Sequence, residues 1–344
     1  MDIEKQILNY LKSHPDSSSK QILNHLEEKK SIATVKRALS KLVSKNLVTV
    51  TGKGKSTRYK LSPFYNLFEN IPVEKYFEKE IDERFIRKDF HYELLRDILP
   101  EVNLFTEEEL KKLSELQDEF TRNVSQLNDF QYKKELERLA IDLSWKSSQI
   151  EGNTYSLLET EKLLKEKQTA QGKTKEEAVM LLNHKEAIDF IIENPDYLYP
   201  LSVSKIEDIH SILTKELRVE RNIRKQRVGI SGTNYRPPGN EFQIKEALSL
   251  MCDLINHKEN VFEKALLALV LISYIQPFTD GNKRTARIVS NAILMFHRYC
   301  PVSFRTVDSI DYKKAMLLFY EQNNLTAFKK IFMEQFEFAV KTYF

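Results

Sequence analysis

Apolar residues recur at helical spacing along the first sixty positions. Ile3, Ile7, Leu8 and Leu11 form one set; Ile22, Leu23 and Leu26 form a second after the break at HPDSSS. Ser31 reads as the N-cap of a third helix, SIATVKRALSKLVSKN, with Val35, Leu39, Leu42 and Val43 as its buried stripe. Two short β-prone runs, LVTVTG and TRYKLS, meet across GKGKS and predict a hairpin. From residue 62 to about 135 the pattern is charged and mostly helical, as in TEEELKKLSELQDEF, with Pro63, Pro72 and Pro100 marking turns. A helical connector without chemistry is expected there. Leu136, Leu139, Ala140, Leu143, Ser147 and Ile150 then predict a helix that Gly152 and Asn153 stop just after Glu151. KALLALVLISYI is apolar enough to be a buried helix, ended by Pro277. Asp280-Gly281-Asn282 is turn chemistry, and NKRTARIVSNAILMF restarts a helix.

This pattern predicts a mainly α protein in three parts: residues 1–61, a connector over 62–135, and a helical body over 136–344. Three helices and a basic hairpin resemble a winged helix-turn-helix, an α+β module. Composition agrees with a soluble globular chain, at 41% hydrophobic and 30% charged residues. The longest apolar run is too short to span a bilayer, and the start lacks the order of a signal peptide. Cys252 and Cys300 match no disulfide or metal spacing, which suits a reducing cytoplasm. The seven histidines contain no H-x-x-x-H pair, so no zinc site is expected.

Charge changes the picture. The chain's net charge is only +3, yet residues 1–61 hold 13 Lys/Arg against 5 Asp/Glu. The remaining residues are therefore slightly acidic, and the two ends have different partners. In a winged helix the third helix enters the major groove of double-stranded DNA, with Lys36, Arg37, Lys41 and Lys45 near phosphates or base edges. The hairpin tip places Lys53, Lys55 and Arg58 beside the backbone. The other reading is a dimerisation or protein-docking module with a solvated basic face.

The stretch IQPFTDGNKRTAR carries the chemistry. Lys283, Arg284 and Arg287 follow the turn where a helix begins, and cations there are disfavoured by about 0.3–1 kcal/mol each. Free backbone N–H groups at such a start cradle anions, and Arg284 and Arg287 share one face. Two planar forks gripping phosphate oxygens, with Asp280 bridged to them by a divalent ion, point to a polyphosphate nucleotide. Glu151 sits at the opposite, negative pole of its own helix. Pairing it with the arginines relieves both placements.

The pattern Pro-Phe-x-Asp-Gly-Asn-x-Arg-x-x-Arg over residues 277–287 resembles the signature of the Fic family, and the likeness covers roughly residues 137–340. The resemblance implies an all-helical Fic-like domain whose relatives mostly transfer AMP from ATP to a protein hydroxyl of Ser, Thr or Tyr. It implies that Asp280 holds magnesium, and that Gly281, Asn282, Lys283 and Arg284 lie along the phosphates. Arg287 would hold the γ-phosphate. Ser147, Glu151 and Gly152 resemble the family's inhibitory motif, which implies a helix near 136–152 whose Glu151 bonds Arg287 and keeps the γ-phosphate from its productive position. Residues 224–242 resemble a β-hairpin flap, which implies that Val228, Gly229, Ile230, Ser231, Gly232 and Tyr235 hold a target segment by strand addition. Without the resemblance that stretch reads as a loop.

Two positions depart from the family. Gln276 stands where relatives have a His that takes the proton of the attacking hydroxyl. An amide does not titrate near neutrality, so Gln276 orients the hydroxyl at most, and loss of such a base costs about 10²–10⁴ in rate. Lys283 stands where most relatives have Gly and resembles the Doc branch, which transfers the γ-phosphate instead. Three readings follow: a restrained adenylyltransferase, a silent nucleotide sensor attached to a DNA-binding module, and a Doc-like phosphotransferase. A homodimer is left open.

Overall fold

In the computed structural model, which describes residues 2–27 and 30–344, side-chain caps set most helix starts. Ser18 and Gln21 form a capping box ahead of α2 (Ser19–His25), and Ser31 caps α3 (Ile32–Ser44). With α1 (Ile3–Ser13) these helices bury Ile7, Leu11, Ile22, Val35, Leu39 and Leu42. Ala38, not Val43, completes the α3 stripe, because 35, 38, 39 and 42 stay on one face and 43 turns past it. The hairpin forms as expected. β1 (Val48–Thr51) runs antiparallel to β2 (Arg58–Leu61), with Val48 opposite Leu61, and Ser17 exchanges two backbone bonds with Tyr59 at 3.0 and 2.9 Å. This is the winged-helix-like module.

The connector is less helical and more deeply packed than its sequence implied. It holds two short helices, α4 (Tyr65–Phe68) and α5 (Val73–Phe77), a π-helical turn at Leu94–Ile98, and one long helix, α6 (Glu107–Ser125). Its apolar residues are irregularly spaced because they fill gaps on a neighbouring surface; Leu67, Leu94, Leu95, Leu99 and Phe105 are all buried.

The body comprises α7 (Asp129–Ile150), α8 (Leu157–Glu166), α9 (Lys175–Glu193), α10 (Val203–Leu213), α11 (Glu241–His257), α12 (Val261–Ile275), α13 (Asn282–Phe296), α14 (Ser309–Gln322) and α15 (Thr326–Tyr343). Every residue of α12 from Phe262 to Ile275 is buried, so it forms the axis against which α11, α13 and α14 pack. A helix buried on all faces shows little amphipathic period, which is why it reads as a plain apolar run.

The connector is tied to the α14–α15 corner. Leu325 N–H donates to the Leu67 carbonyl at 2.9 Å, and Asn324 Nδ2 donates to the Asn66 and Glu69 carbonyls at 2.9 and 2.8 Å. The Arg84 and Glu321 side chains form a buried ion pair at 3.1 Å. Among the described residues the wing is the one sheet, so residues 224–242 do not form the expected β-hairpin. They run as an extended loop whose one β-type contact is a parallel bridge between Arg236 and Asp89. Extended edges pair only when a second strand is in register, and this loop's nearest neighbour is the connector, not its own return arm. Among the described residues no helix is long and apolar enough to cross a membrane.

Candidate functional site

The α12–α13 turn is held from several sides. Gln276 ends α12 in the left-handed region at φ +50°, and Gly281 follows at φ +82°. A side chain at 281 would be strained by that backbone, although it would meet the His210 ring only at ordinary contact, 3.4 Å from the Cβ position. Asn282 staples the turn: its Oδ1 accepts from Phe278 N–H at 2.8 Å, and its Nδ2 donates to the Phe278 carbonyl and Gln276 Oε1 at 2.9 and 3.0 Å. The Asn282 side chain, expected at the phosphates, is thus engaged by the turn. His210 stacks on Phe278 with ring centroids 3.6 Å apart, and its Nε2 meets the Asp280 carbonyl at 2.9 Å. Burial pulls the His210 imidazole down to about 4, so it is neutral.

The two ill-placed charges meet. Arg287 Nη2 donates to Glu151 Oε1 at 2.8 Å, and Lys283 Nζ reaches Glu151 Oε2 at 3.3 Å. Arg287 is fully buried, whereas the Glu151 side chain keeps 19% of its surface. Burial raises the Glu151 carboxyl, but the charges of Arg287, Lys283 and Arg284 outweigh it and hold it below the ordinary carboxylate range. Ser147 lies beneath. Its hydroxyl accepts from Arg287 Nε at 2.8 Å, and its carbonyl accepts from Nη2 at 3.1 Å. The same hydroxyl lies 2.6 Å from His184 Nε2. Burial, with Arg287 and Arg284 nearby, holds the His184 imidazole well below its ordinary range and so neutral. Gly152, at φ +100°, closes the α7 end behind Glu151.

Beside this latch a cleft of about 380 Å³ lies between the turn, the flap loop and α14. Gln276, Asp280, Gly281, Asn282 and Lys283 line it, and α14 adds Lys313 and Tyr320. No side chain caps the α13 N-terminus. Arg284 is 1% exposed, bonds Asp280 Oδ2 through Nη2 at 3.1 Å, and leaves Nε and Nη1 buried without a partner. An unpaired buried guanidinium donor is costly, and an anion is what relieves it. The Gln276 amide is held in place, with Nε2 donating to the Ser273 carbonyl at 2.6 Å.

Of the flap residues, Gly229, Ile230 and Ser231 line the cleft. Tyr235 does not: it is buried, stacked on Tyr274 at 4.7 Å, with its hydroxyl donating to the Tyr274 carbonyl. Both loop ends are clamped by Arg224, which is fully buried. Its Nε, Nη1 and Nη2 donate to the Gln276, Gln226 and Pro238 carbonyls, each at 2.7 Å. Arg224→Lys keeps the charge but loses the fork, so unfolding free energy in urea is expected to fall by about 2–4 kcal/mol. Proteolysis between 226 and 238 should quicken; unchanged stability and cleavage would show that the clamp is dispensable.

In the winged module Lys36, Arg37, Lys53 and Lys55 are exposed and make no ion pair among the described residues. Lys41 and Lys45 are instead bound to Glu4 of α1 at 2.9 and 3.0 Å. Arg58 is half-buried, and its Nη1 donates to the Thr57 carbonyl at 3.1 Å.

Several site residues carried little or no sequence signal. His184 lies on the same stripe as Leu181 and Ile188, where a histidine between apolar neighbours was the available hint. Tyr312, whose ring lies 5.2 Å from the Arg287 guanidinium, and Arg224 were indistinguishable from other aromatics and surface cations.

Comparison with known proteins accords with this geometry. Residues 200–294 match the Fic/DOC family, and residues 2–119 match the penicillinase repressor family. The protein adenylyltransferase Fic of Nematostella vectensis is 29% identical over 221 residues, covering 62% of this chain and 51% of its own. The adenylyltransferase fic-1 of Caenorhabditis elegans is 28% identical over 217 residues, covering 59% and 40%. The chain thus spans about half or less of the length of these curated relatives. Among solved structures, a fragment of C. elegans Fic-1 superposes with a TM-score of 0.59 at 22% identity, covering 68% of this chain and 71% of that one. A Fic-domain signalling protein from Bacteroides thetaiotaomicron gives 0.59 at 18% identity, covering 67% and 95%. At those identities the likeness concerns the fold. This chain therefore carries a Fic/DOC family domain at residues 200–294, behind an N-terminal segment similar to a penicillinase repressor.

Proposed function

We propose that this chain binds ATP in the α12–α13 cleft and transfers AMP slowly to a protein hydroxyl, with Glu151 as the restraint. One observation carries the reading: a carboxylate held by two cations at a cleft beside an uncapped helix start, with a buried arginine in the first turn of that helix that keeps two unpaired donors. The relatives named as adenylyltransferases support the choice of reaction.

The residues also fit magnesium. Asp280 presents a 67% exposed carboxylate at the cleft, and no group of three or more metal-ligating side chains occurs among the described residues. A single carboxylate suits an ion that takes its other ligands from phosphates and water. Bound there, magnesium would neutralise phosphate charge. Arg284 and Arg287 would hold phosphate oxygens while the target hydroxyl oxygen attacks the α-phosphorus. The bond to the bridging oxygen then breaks and pyrophosphate leaves. Gln276 accepts a hydrogen bond from the hydroxyl but cannot take its proton, which must pass to solvent.

The test uses ATP labelled at the α or γ position, with wild type and Glu151→Gly. Protein label from α alone is expected; label from γ alone means phosphate transfer, the Doc-like outcome. A second reading, a nucleotide sensor, is favoured by Gln276, whose amide is engaged at both ends and offers no base. Nucleotide binding without transfer of either label would select it.

For the winged module we propose contact with duplex DNA through Lys36, Arg37, Lys53 and Lys55. With about four phosphates neutralised, log K should fall against log salt with a slope of about −3 to −4. Fluorescence anisotropy on a random duplex measures it, and a flat response would move the module to protein docking.

A further inference from the structure

We infer that Lys283 is the second arm of the Glu151 latch and, when that carboxylate leaves, a phosphate ligand in its own right. The inference rests on the proposed nucleotide site and adds how that site is regulated. Each Glu151 oxygen has its own cation: Oε1 takes Arg287 at 2.8 Å and Oε2 takes Lys283 at 3.3 Å. The two cations lie four residues apart on one face of α13.

Their fates on release differ. Arg287 also bonds Ser147 through Nε and Nη2, contacts that do not involve Glu151. Lys283 has no other side-chain partner among the described residues, and it lines the cleft beside the uncapped start of α13. A cation left there without an anion is disfavoured by the helix dipole. Its ammonium carries three donors, and one points to Glu151 now. A triphosphate in the cleft is the anion positioned to take them. The same lysine therefore opposes nucleotide entry while it holds Glu151 and favours it afterwards.

Lys313 supplies a control: it lines the same cleft from α14 and makes no ion pair among the described residues. Magnesium-ATP affinity is measured by calorimetry on the full chain, for wild type, Lys283→Ala, Glu151→Gly and the double variant. Lys313→Ala is measured in both backgrounds, and melting curves check folding. In Glu151→Gly, Lys283→Ala should weaken ATP about tenfold, the size of one charged hydrogen bond. In wild type the same substitution should leave affinity unchanged or tighten it, because a latch contact goes with the phosphate contact. Lys313→Ala should have the same effect in both backgrounds. Lys283→Gln, which keeps the reach without the charge, should follow the Ala pattern. Equal weakening by Lys283→Ala in both backgrounds overturns the inference alone. Failure of all four proteins to bind ATP overturns the nucleotide reading and the inference with it.

Discussion

Gln276→His in the Glu151→Gly background is expected to raise AMP transfer by about 10²–10⁴ over Glu151→Gly alone, the usual contribution of a general base. The geometry favours the exchange. Residue 276 sits in the left-handed region, which histidine tolerates better than most residues. Its carbonyl, not its side chain, is what Arg224 clamps, so the loop anchor survives. Asn282 keeps its two bonds to Phe278, so the turn survives as well. An imidazole there can take the hydroxyl proton, and the rate should rise with pH through about 6.5, its ordinary titration. Incorporation of α-labelled ATP measures both effects. A rate no different from Glu151→Gly alone would mean that the missing base is not what limits this site.

The second large effect comes from Glu151→Gly itself, in two opposite directions. Removing one member of a mostly buried pair leaves Arg287 and Lys283 uncompensated, so the nucleotide-free protein should lose about 2–4 kcal/mol of stability, somewhat less than a fully buried pair would cost. Magnesium-ATP then meets cations that no longer have to leave a carboxylate, and its affinity should rise about 10- to 100-fold. The variant therefore melts below wild type when empty and gains more from ATP. Glu151→Ala separates the charge from the added backbone freedom of glycine. The pH dependence has a fixed sign. Because the Glu151 carboxyl titrates below its unfolded value of about 4.3, the latch's stabilisation is fully present above that pH. It is lost only as pH falls through the lower folded value. Equal ATP affinity in wild type and variant would remove Glu151 as the restraint.

Helix order was readable where periodicity and an end signal agreed: the Ser31 cap of α3, the Gly152 stop of α7 and the Asp280-Gly281 turn before α13. The charge argument was readable too: a Glu at one helix's negative pole and an Arg at another's positive pole are conspicuous in one dimension, and the structure joins them. Three things were not readable. The 224–242 loop alternates like a strand, but alternation records which side chains face inward and not whether a partner strand exists. The Asn282 side chain, which the Fic resemblance places along the phosphates, completes the turn through Phe278 and Gln276, bonds that no sequence pattern announces. Lys41 and Lys45 looked like groove contacts because Glu4, thirty-seven residues before the first of them, cannot be placed against them by local pattern. Such long-range pairings, like the Arg224 clamp and the His184 support, exist only once the chain is closed on itself.

The ties between the connector and the α14–α15 corner limit how the chain can be divided. Tyr65, Leu67 and Phe68 are buried, and the Leu67 carbonyl is bonded to the body at Leu325, so the wing joins the body through an anchored segment. The strand boundary near Ser62 is itself buried, with the Ser62 N–H bonded to the Leu47 carbonyl at 3.0 Å. Cuts further along would strip a lining from the helical half. The winged-helix-like module is thereby joined to the body through the corner that follows α14, the helix that walls the cleft.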